Sequence, residues 1–522
     1  MKKSIIFFSL LLSLTTITLA QTNTYDIILT NGQILDGSGS SPYPANLAIS
    51  QNTIEYIGNN ESSADVTIDA TGLYIAPGFI DLHTHADRQL TDNRLKNALN
   101  YLTQGVTLVV TGNCGGGTCD VTDYFNTLKT QGLGLNTIHL VGHNTVRQAV
   151  LGAANRPPTP DELEKMKNLV NKALNEGAAG LSTGLFYAPG SYAQTDEIIE
   201  LARIVKKHNG FYASHLRDES NYTIGLQNAV REAIQIAESA GVPLQISHLK
   251  AMGTPVWNQA PDVCQIIETA QQRGVVIYAD QYPYTASSTS LAAATIPRWI
   301  QADGKTKQLL QDEKLLPQIK QEIAQNIARR GGPDSLVLTG YRPNPAWTGK
   351  SLAYISSELK KSPVDTAIEL VLKGSPKTVS HNMTDSDVEY IMKKSYVMTG
   401  SDGTLVAPGD SVIHPRSYGA FPRKIAYYAL EKQIITLPQA IRSCTSLPAE
   451  ALNLKNRGLL KTGYVADIVA FNPKTLKDNA TFDKPHQYSQ GIEYLFVNGV
   501  LTIENGKYNG ALAGKPIPGK DR

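Results

Sequence analysis

The stretch GFIDLHTH, Gly78–His85, ends an apolar run in Asp81 and then sets two histidines one residue apart. In an extended strand, residues i and i+2 face the same side. His83 and His85 are therefore expected to point together from the end of a buried strand, where both imidazoles can hold one cation. The surroundings repeat this arrangement. Short apolar runs (GVTLVVTGN, TIHLVGHN, AAGLSTGLFY, GFYASHLRDES, PLQISHLK, VVIYADQYPY and YVMTGSDG) alternate with helical stretches along the middle of the chain. DELEKMKNLVNKALNEG opens behind a Pro-Asp start signal and closes at Gly177, and NAVREAIQIAESAG closes at Gly241. Such alternation predicts an α/β fold with a parallel sheet, and this many repeats predicts a (β/α)8 TIM-like barrel. A doubly wound open sheet is the alternative, but no Gly-rich phosphate fingerprint follows the first strand.

SLVLTGY and KTVSHNM also read as strands, which takes the count past eight. Residues from about 290 to 351 are helix-rich and interrupt the pattern, so a helical insertion near the barrel mouth is expected there. Both ends of the chain are β-rich. TYDIILTNGQILDG has the pattern of a hairpin turning at Asn31-Gly32, and GIEYLFVNGVLTIENG has another at Asn498-Gly499. Residues 21–77 and 446–522 are thus expected to form one small β-sandwich domain around a barrel spanning 78–445.

Of the 522 residues, 41% are hydrophobic and 18% charged, an ordinary soluble globular composition. The formal net charge of +2 is supplied by Lys2 and Lys3, and no basic patch points to nucleic acid. MKKSIIFFSLLLSLTTITLAQ reads as a secretory signal peptide over residues 1–20, cut after Ala20. Its apolar run is short for a membrane span. The mature chain is expected to be exported, periplasmic or secreted, and free of the membrane. In an oxidising compartment Cys114 and Cys119, in GNCGGGTCD, are close enough to close a disulfide loop.

Barrel active sites lie where strands end. Here the run ends carry His83, His85, Cys114, His215, His248 and Asp402, a set of N, S and O donors that suits zinc. His139, His208 and His486 lack this placement, while His143 and His381 read as structural.

GFIDLHTH behind a β-rich segment resembles the amidohydrolase superfamily of metal-dependent hydrolases. The ordered series GNCGGG, STGLFYAPG, HLRDES, ISHLK, YPYTASST, GSDG and HPRSYGAFPR is similar to the N-acyl-D-amino-acid deacylases, or D-aminoacylases, from about Tyr25 to about Gly506. The resemblance implies zinc-dependent hydrolysis of a small-molecule substrate, an N-acyl-D-amino acid. It implies one metal position held by His83, His85 and His248, and a tighter zinc position held by Cys114, His215 and Asp402, with Cys114 touching both. Asp402 would take the water proton and then give it to the leaving amine. Arg416 would fork onto the substrate carboxylate, joined by Lys250, Tyr282, Ser288 and Tyr187. Arg217 and Asp218 would orient His215. Cys119 and the run of three glycines depart from the family pattern. A zinc-bound thiolate cannot also sit in a disulfide, and metal stabilises the thiolate, so Cys114 is expected as a ligand.

Other readings compete. A cyclic-amide hydrolase of the hydantoinase or dihydroorotase kind shares the two histidines and the closing aspartate but usually carries a bridging lysine, where this chain has Cys114. A dipeptidase for D-residues would use the same metal site. A non-catalytic barrel would have lost ligands, and none is missing here. The D preference rests wholly on the resemblance.

Overall fold

Each apolar run of the middle region becomes a short strand, buried throughout except at Tyr278, as both faces of a parallel sheet require. The computed structural model describes residues 24–59, 63–407 and 413–522, so the expected leader lies outside the described residues. Eight parallel strands follow in order: Phe79–Asp81, Val106–Thr111, Asn136–His139 continued by Val141–Gly142, Gly180–Gly184, Phe211–His215, Leu244–Ile246, Ile277–Gln281 and Val397–Thr399. The third is broken at Leu140, so its first half pairs with the second strand and its second half with the fourth. The ring closes between its last and first members. Thr84 pairs in parallel with Gly403, Asp402 N donates to His83 O at 2.8 Å, and His85 N donates to Gly403 O at 2.7 Å. Neighbouring residues face opposite sides. Phe79 and Val109 pack into the cluster shared with the outer helices, whereas Ile80 and Val110 pack with Ile138, Leu140 and Met398.

The helices start and stop where their ends are satisfied. Pro160–Asn175 begins at Thr159, whose hydroxyl accepts from Glu162 N while the Glu162 carboxylate accepts from Thr159 N. Leu226–Ala240 ends at Gly241 in the left-handed conformation, φ +69°. Among the described residues no helix is long and apolar enough to cross a membrane.

The insertion reaches further than 290–351. It runs from Ala286 to His381 and carries its own antiparallel sheet, with Lys377–His381 between Ala286–Ser290 and Leu336–Gly340. A separate apolar core, including Leu291, Ile319, Ile323, Leu338, Ile355 and Leu370, holds it together. SLVLTGY and KTVSHNM therefore belong to the insertion, which resolves the surplus over eight strands.

The two ends of the chain share one sheet of nine strands, joined where Ile468–Phe471 pairs antiparallel with Tyr74–Pro77. Their common core includes Leu29, Leu47, Ile54, Ile75, Ile468 and Phe496. Asn31-Gly32 is not a hairpin turn. Thr24–Ile34 is a single strand, and Asn31, at φ +61°, sits where its register against Tyr43–Ser50 slips, a β-bulge. Asn498-Gly499 does turn, with φ +51° and +81°, between Ile492–Val497 and Val500–Glu504.

A buried ionic group ties two outer helices together. Glu197 accepts from His143 Nε2 at 2.8 Å and pairs with Arg147, and all three are buried. Removing one partner of such a group leaves a charge without compensation, which costs about 3–5 kcal/mol. Glu197→Gln is expected to lose stability of that order in denaturant unfolding at neutral pH. Burial works against the Glu197 charge, but His143 and Arg147 outweigh it and lower its pKa below the ordinary 4.5. The contribution is therefore full above the unfolded value and fades as pH falls through the lower folded value. The deficit of the variant should shrink over that acid range.

Candidate metal centre

Six donors predicted from strand ends converge at one rim of the barrel. Cys114 Sγ lies 3.4 Å from His83 Nε2, 3.4 Å from His215 Nδ1 and 3.7 Å from His248 Nε2. Asp402 Oδ1 lies 3.0 Å from His85 Nε2 and 3.6 Å from His83 Nε2. Three triads have donor atoms within 4.8 Å of one another: His83–His85–Cys114, Cys114–His215–His248 and His83–His248–Asp402.

This grouping differs in part from the expected one. His248 sits near His83, as expected, but also with Cys114 and His215, and Asp402 sits with His83, His85 and His248 rather than with Cys114 and His215. Ring order is the reason. His215 and His248 leave adjacent strands, with ring centroids 4.4 Å apart, and the last strand closes onto the first, which brings Asp402 to His83 and His85.

The backbone is bent to aim these groups. Cys114, His248 and Asp402 adopt φ of +53°, +37° and +48°. None is glycine, and the left-handed region costs such residues on the order of 1–3 kcal/mol each. Two of the three glycines after Cys114 are required by the packing of its loop. A Cβ at Gly115 would meet Asn144 Oδ1 at 2.4 Å, and one at Gly117 would meet Leu140 O at 1.9 Å.

The electrostatics suit a cation. Burial alone would raise the Cys114 thiol, but His83, His215 and His85 outweigh it and hold its pKa well below the ordinary 9.0. The surrounding imidazoles therefore favour the Cys114 thiolate, the form that binds metal. Burial likewise opposes the charge of Asp402, yet Arg416 and His248 keep its carboxyl well below 3.8. The site is thus two anions among four imidazoles, a donor set that fits zinc. All four cysteines are free. Cys119 lies in the apolar core, and burial pushes its thiol up to about 11.

The metal donors open onto a cavity of about 660 Å³, which Tyr187, Lys250, Tyr282, Ser288 and Arg416 also line. The Ser288 wall is the first strand of the insertion. Arg416 Nη1 lies 2.9 Å from Asp402 Oδ2 without hydrogen-bond alignment, and its guanidinium stacks 4.5 Å over the Tyr282 ring. The buried Tyr282 hydroxyl has no protein partner. Lys250 is turned into the wall, where it bonds Glu219 and approaches His248 Nδ1 at 2.7 Å. The Tyr187 ring packs 4.8 Å from that of His215.

Arg217 and Asp218 do not touch His215. Arg217 binds Glu232 and the Ser191 and Ala193 carbonyls, and Asp218 accepts from Ser220, Thr223 and Gly225 N–H groups to fold its loop. The carboxylate facing His215 belongs to the next residue, Glu219, whose Oε2 lies 3.9 Å from His215 Nε2. Two further acids escaped the sequence reading. Asp280 accepts from His248 N at 3.0 Å and lies 3.4 Å from His83 Nδ1. Asp81 accepts from His83 N and Ser401 N, joining the first strand end to the last. Both stand in apolar runs, where strand alternation is the only signal of an inward acid. His143 and His381 stand apart from the donors. His143 binds Glu197, and His381 packs edge-on against Phe482.

Comparison with known proteins agrees with this construction. The amidohydrolase family pattern matches residues 66–268 and 387–503, leaving out a stretch that contains the whole insertion. A D-aminoacylase of Alcaligenes xylosoxydans xylosoxydans is 33% identical over 517 residues, covering 94% of this chain and 97% of its own. A solved D-aminoacylase with a binuclear metal centre, described as showing one-metal activation and second-metal attenuation, superposes with a TM-score of 0.81 at 32% identity. That match covers 95% of this chain and 99% of the other. The N-acyl-D-glutamate deacylase of Bordetella bronchiseptica, solved with zinc and a phosphonate mimic of the tetrahedral intermediate, gives 0.81 at 30% identity, covering 95% and 100%. By sequence over nearly its whole length and by fold, this chain belongs to the amidohydrolase family, in the branch of the D-aminoacylases.

Proposed function

We propose that the protein is a zinc-dependent hydrolase that cleaves N-acyl-D-amino acids to a carboxylate and a free D-amino acid. The observation that carries this reading is the thiolate-centred donor cluster opening onto a cavity that also presents Arg416, Tyr282 and Lys250. The activities of the relatives supply the substrate class. A bound zinc ion supplies Lewis acidity, bringing water to a pKa of roughly 7 and polarising a carbonyl.

The chain's own residues do the rest. Cys114, His215 and His248 are the tighter donor set, because they meet at one thiolate and are all but buried, and His83 and His85, with Cys114 as the shared ligand, frame a second position beside it, within 3.6 Å and 3.0 Å of Asp402 Oδ1. Asp402 takes the proton of the attacking water and returns it to the departing nitrogen, which leaves poorly as an anion. Arg416 receives the substrate carboxylate, since its contact with Asp402 leaves an N–H unaligned and Tyr282 holds its plane. The Tyr282 hydroxyl, partnerless in the protein, donates to the same carboxylate. Tyr187 and Ser288 bound the substrate from the same side of the cavity, where the Tyr187 hydroxyl lies 3.4 Å from Thr289 Oγ1. The leader sequence supports export, with a mature N-terminus at Gln21.

The test is hydrolysis of matched N-acetyl-D- and N-acetyl-L-amino acids (Met, Leu, Asp, Glu) by protein recovered from the exported fraction, its N-terminus read by mass spectrometry. Cleavage confined to the D series, lost on chelation and restored by zinc, is expected. Absence of cleavage by zinc-loaded protein, or equal cleavage of both series, would overturn the assignment.

A further inference from the structure

Glu219 is a buried carboxylate behind the tightest donor set, and the proposed reaction gives it no task. It is 4% exposed and faces three groups at once. Oε1 lies 2.9 Å from His248 Nδ1 and accepts from Lys250 Nζ, while Oε2 lies 3.9 Å from His215 Nε2. In both histidines the other ring nitrogen faces Cys114. One carboxylate thus stands behind two of the three donors in the tightest triad. A histidine that gives one nitrogen to a metal must carry its proton on the other, and a carboxylate accepting that proton fixes tautomer and ring plane.

Lys250 makes this more than a support. Its ammonium has only donors, and it lies 2.7 Å from His248 Nδ1. Nδ1 thus stands between a donor, Lys250 Nζ, and an acceptor, Glu219 Oε1 at 2.9 Å: it accepts from the first only with the imidazole proton on Nε2, the nitrogen facing Cys114, and donates to the second only with the proton on Nδ1. The two arrangements exclude each other. When His248 turns its Nε2 lone pair to a cation, Nδ1 becomes a donor to Glu219 and no longer accepts from Lys250. Lys250 already lines the cavity, so its released N–H has a substrate carboxylate to meet.

We propose that Glu219 is a positioning residue that couples metal binding to carboxylate recognition, by holding His248 and His215 in the metal-competent tautomer while Lys250 is freed from His248 toward the substrate. The inference rests on the metal and substrate reading given under Proposed function. Linkage makes the effect reciprocal: a carboxylate ligand held by Lys250 tightens zinc, by the same factor that zinc tightens the carboxylate.

The experiment measures zinc affinity by chelator competition, with and without excess D-leucine, in wild type, Glu219→Gln and Lys250→Met, alongside KM for N-acetyl-D-leucine at saturating zinc. Glu219→Gln is expected to weaken zinc by about 10–100-fold. Lys250→Met is expected to bind zinc as tightly as wild type or more so, to raise KM, and to abolish the tightening by D-leucine. A purely structural prop would weaken zinc in both variants. Zinc binding by Glu219→Gln equal to wild type overturns the inference, as does a Lys250→Met variant weakened as much as Glu219→Gln. Should Glu219→Gln not fold, the Lys250→Met arm decides: D-leucine tightening zinc undiminished in that variant overturns the coupling. A wild-type protein that binds no zinc overturns the metal reading itself, and this inference with it.

Discussion

Asp402→Asn is expected to lower kcat on N-acetyl-D-amino acids by about 10²–10⁴-fold, the range for a positioned general base. The amide keeps the shape and volume of the carboxylate but can neither take the water proton nor give it to the leaving nitrogen. The choice of asparagine over alanine matters, because Asp402 is also the anion beside Arg416 and His85. Alanine would leave a hole and a buried guanidinium facing it. The backbone at Asp402, with φ +48°, tolerates asparagine better than most residues. KM should change far less than kcat if proton transfer is what is lost. A variant retaining more than about a tenth of wild-type kcat would remove Asp402 from the proton path, since even a modest base contributes 10²-fold.

Cys114→Ser should show the second large effect, on metal content rather than on chemistry. Loss of an outer hydrogen-bond partner costs a histidine-bound metal about 10–100-fold in affinity, and loss of the shared ligand should cost more than that range. Cys114 is the point where the three triads nearly coincide, belonging to two of them, and its Sγ touches three imidazoles. A serine hydroxyl is shorter and stays protonated where the thiol ionises. Dialysed Cys114→Ser is expected to retain little zinc, with activity recovered only in proportion to added metal. Full zinc content after dialysis would mean that the histidines and Asp402 hold the ion alone. Metal removal from the wild type should have the same effect reversibly, and should leave Cys114 open to alkylation while Cys119, raised by burial in the core, resists.

Local signals made much of this site legible. Each donor stands where an apolar run stops, and in a barrel all such ends gather at one rim. Which donors become neighbours was not legible, because adjacency comes from ring order. The sequence places His248 far from His215 and Asp402 farther still from His83, yet hydrogen bonding between the fifth and sixth strands and between the eighth and first sets both pairs. The acids behind the histidines were hidden for a related reason. Glu219 sits beside Arg217 and Asp218 in HLRDES, and only the path of that loop decides which of the three turns inward.

The two Asn-Gly pairs mark the same boundary in the β domain. Both dipeptides allow positive φ, and both lie between apolar runs. Asn498-Gly499 turns the chain, since the strands on either side pair with each other. Asn31-Gly32 becomes a bulge within one strand, because Tyr43–Ser50 and Ser63–Asp69 flank that strand and leave no place for a hairpin. The sequence by itself determined the elements that depend on local chemistry: run lengths, helix caps, donor types and their position at strand ends. Tertiary structure alone decided what depends on partners distant along the chain, namely the pairing of KTVSHNM with SLVLTGY inside the insertion rather than in the barrel, the grouping of the metal donors, and the carboxylate that holds them. Side-chain periodicity is written residue by residue, whereas pairing energies arise only once distant segments meet.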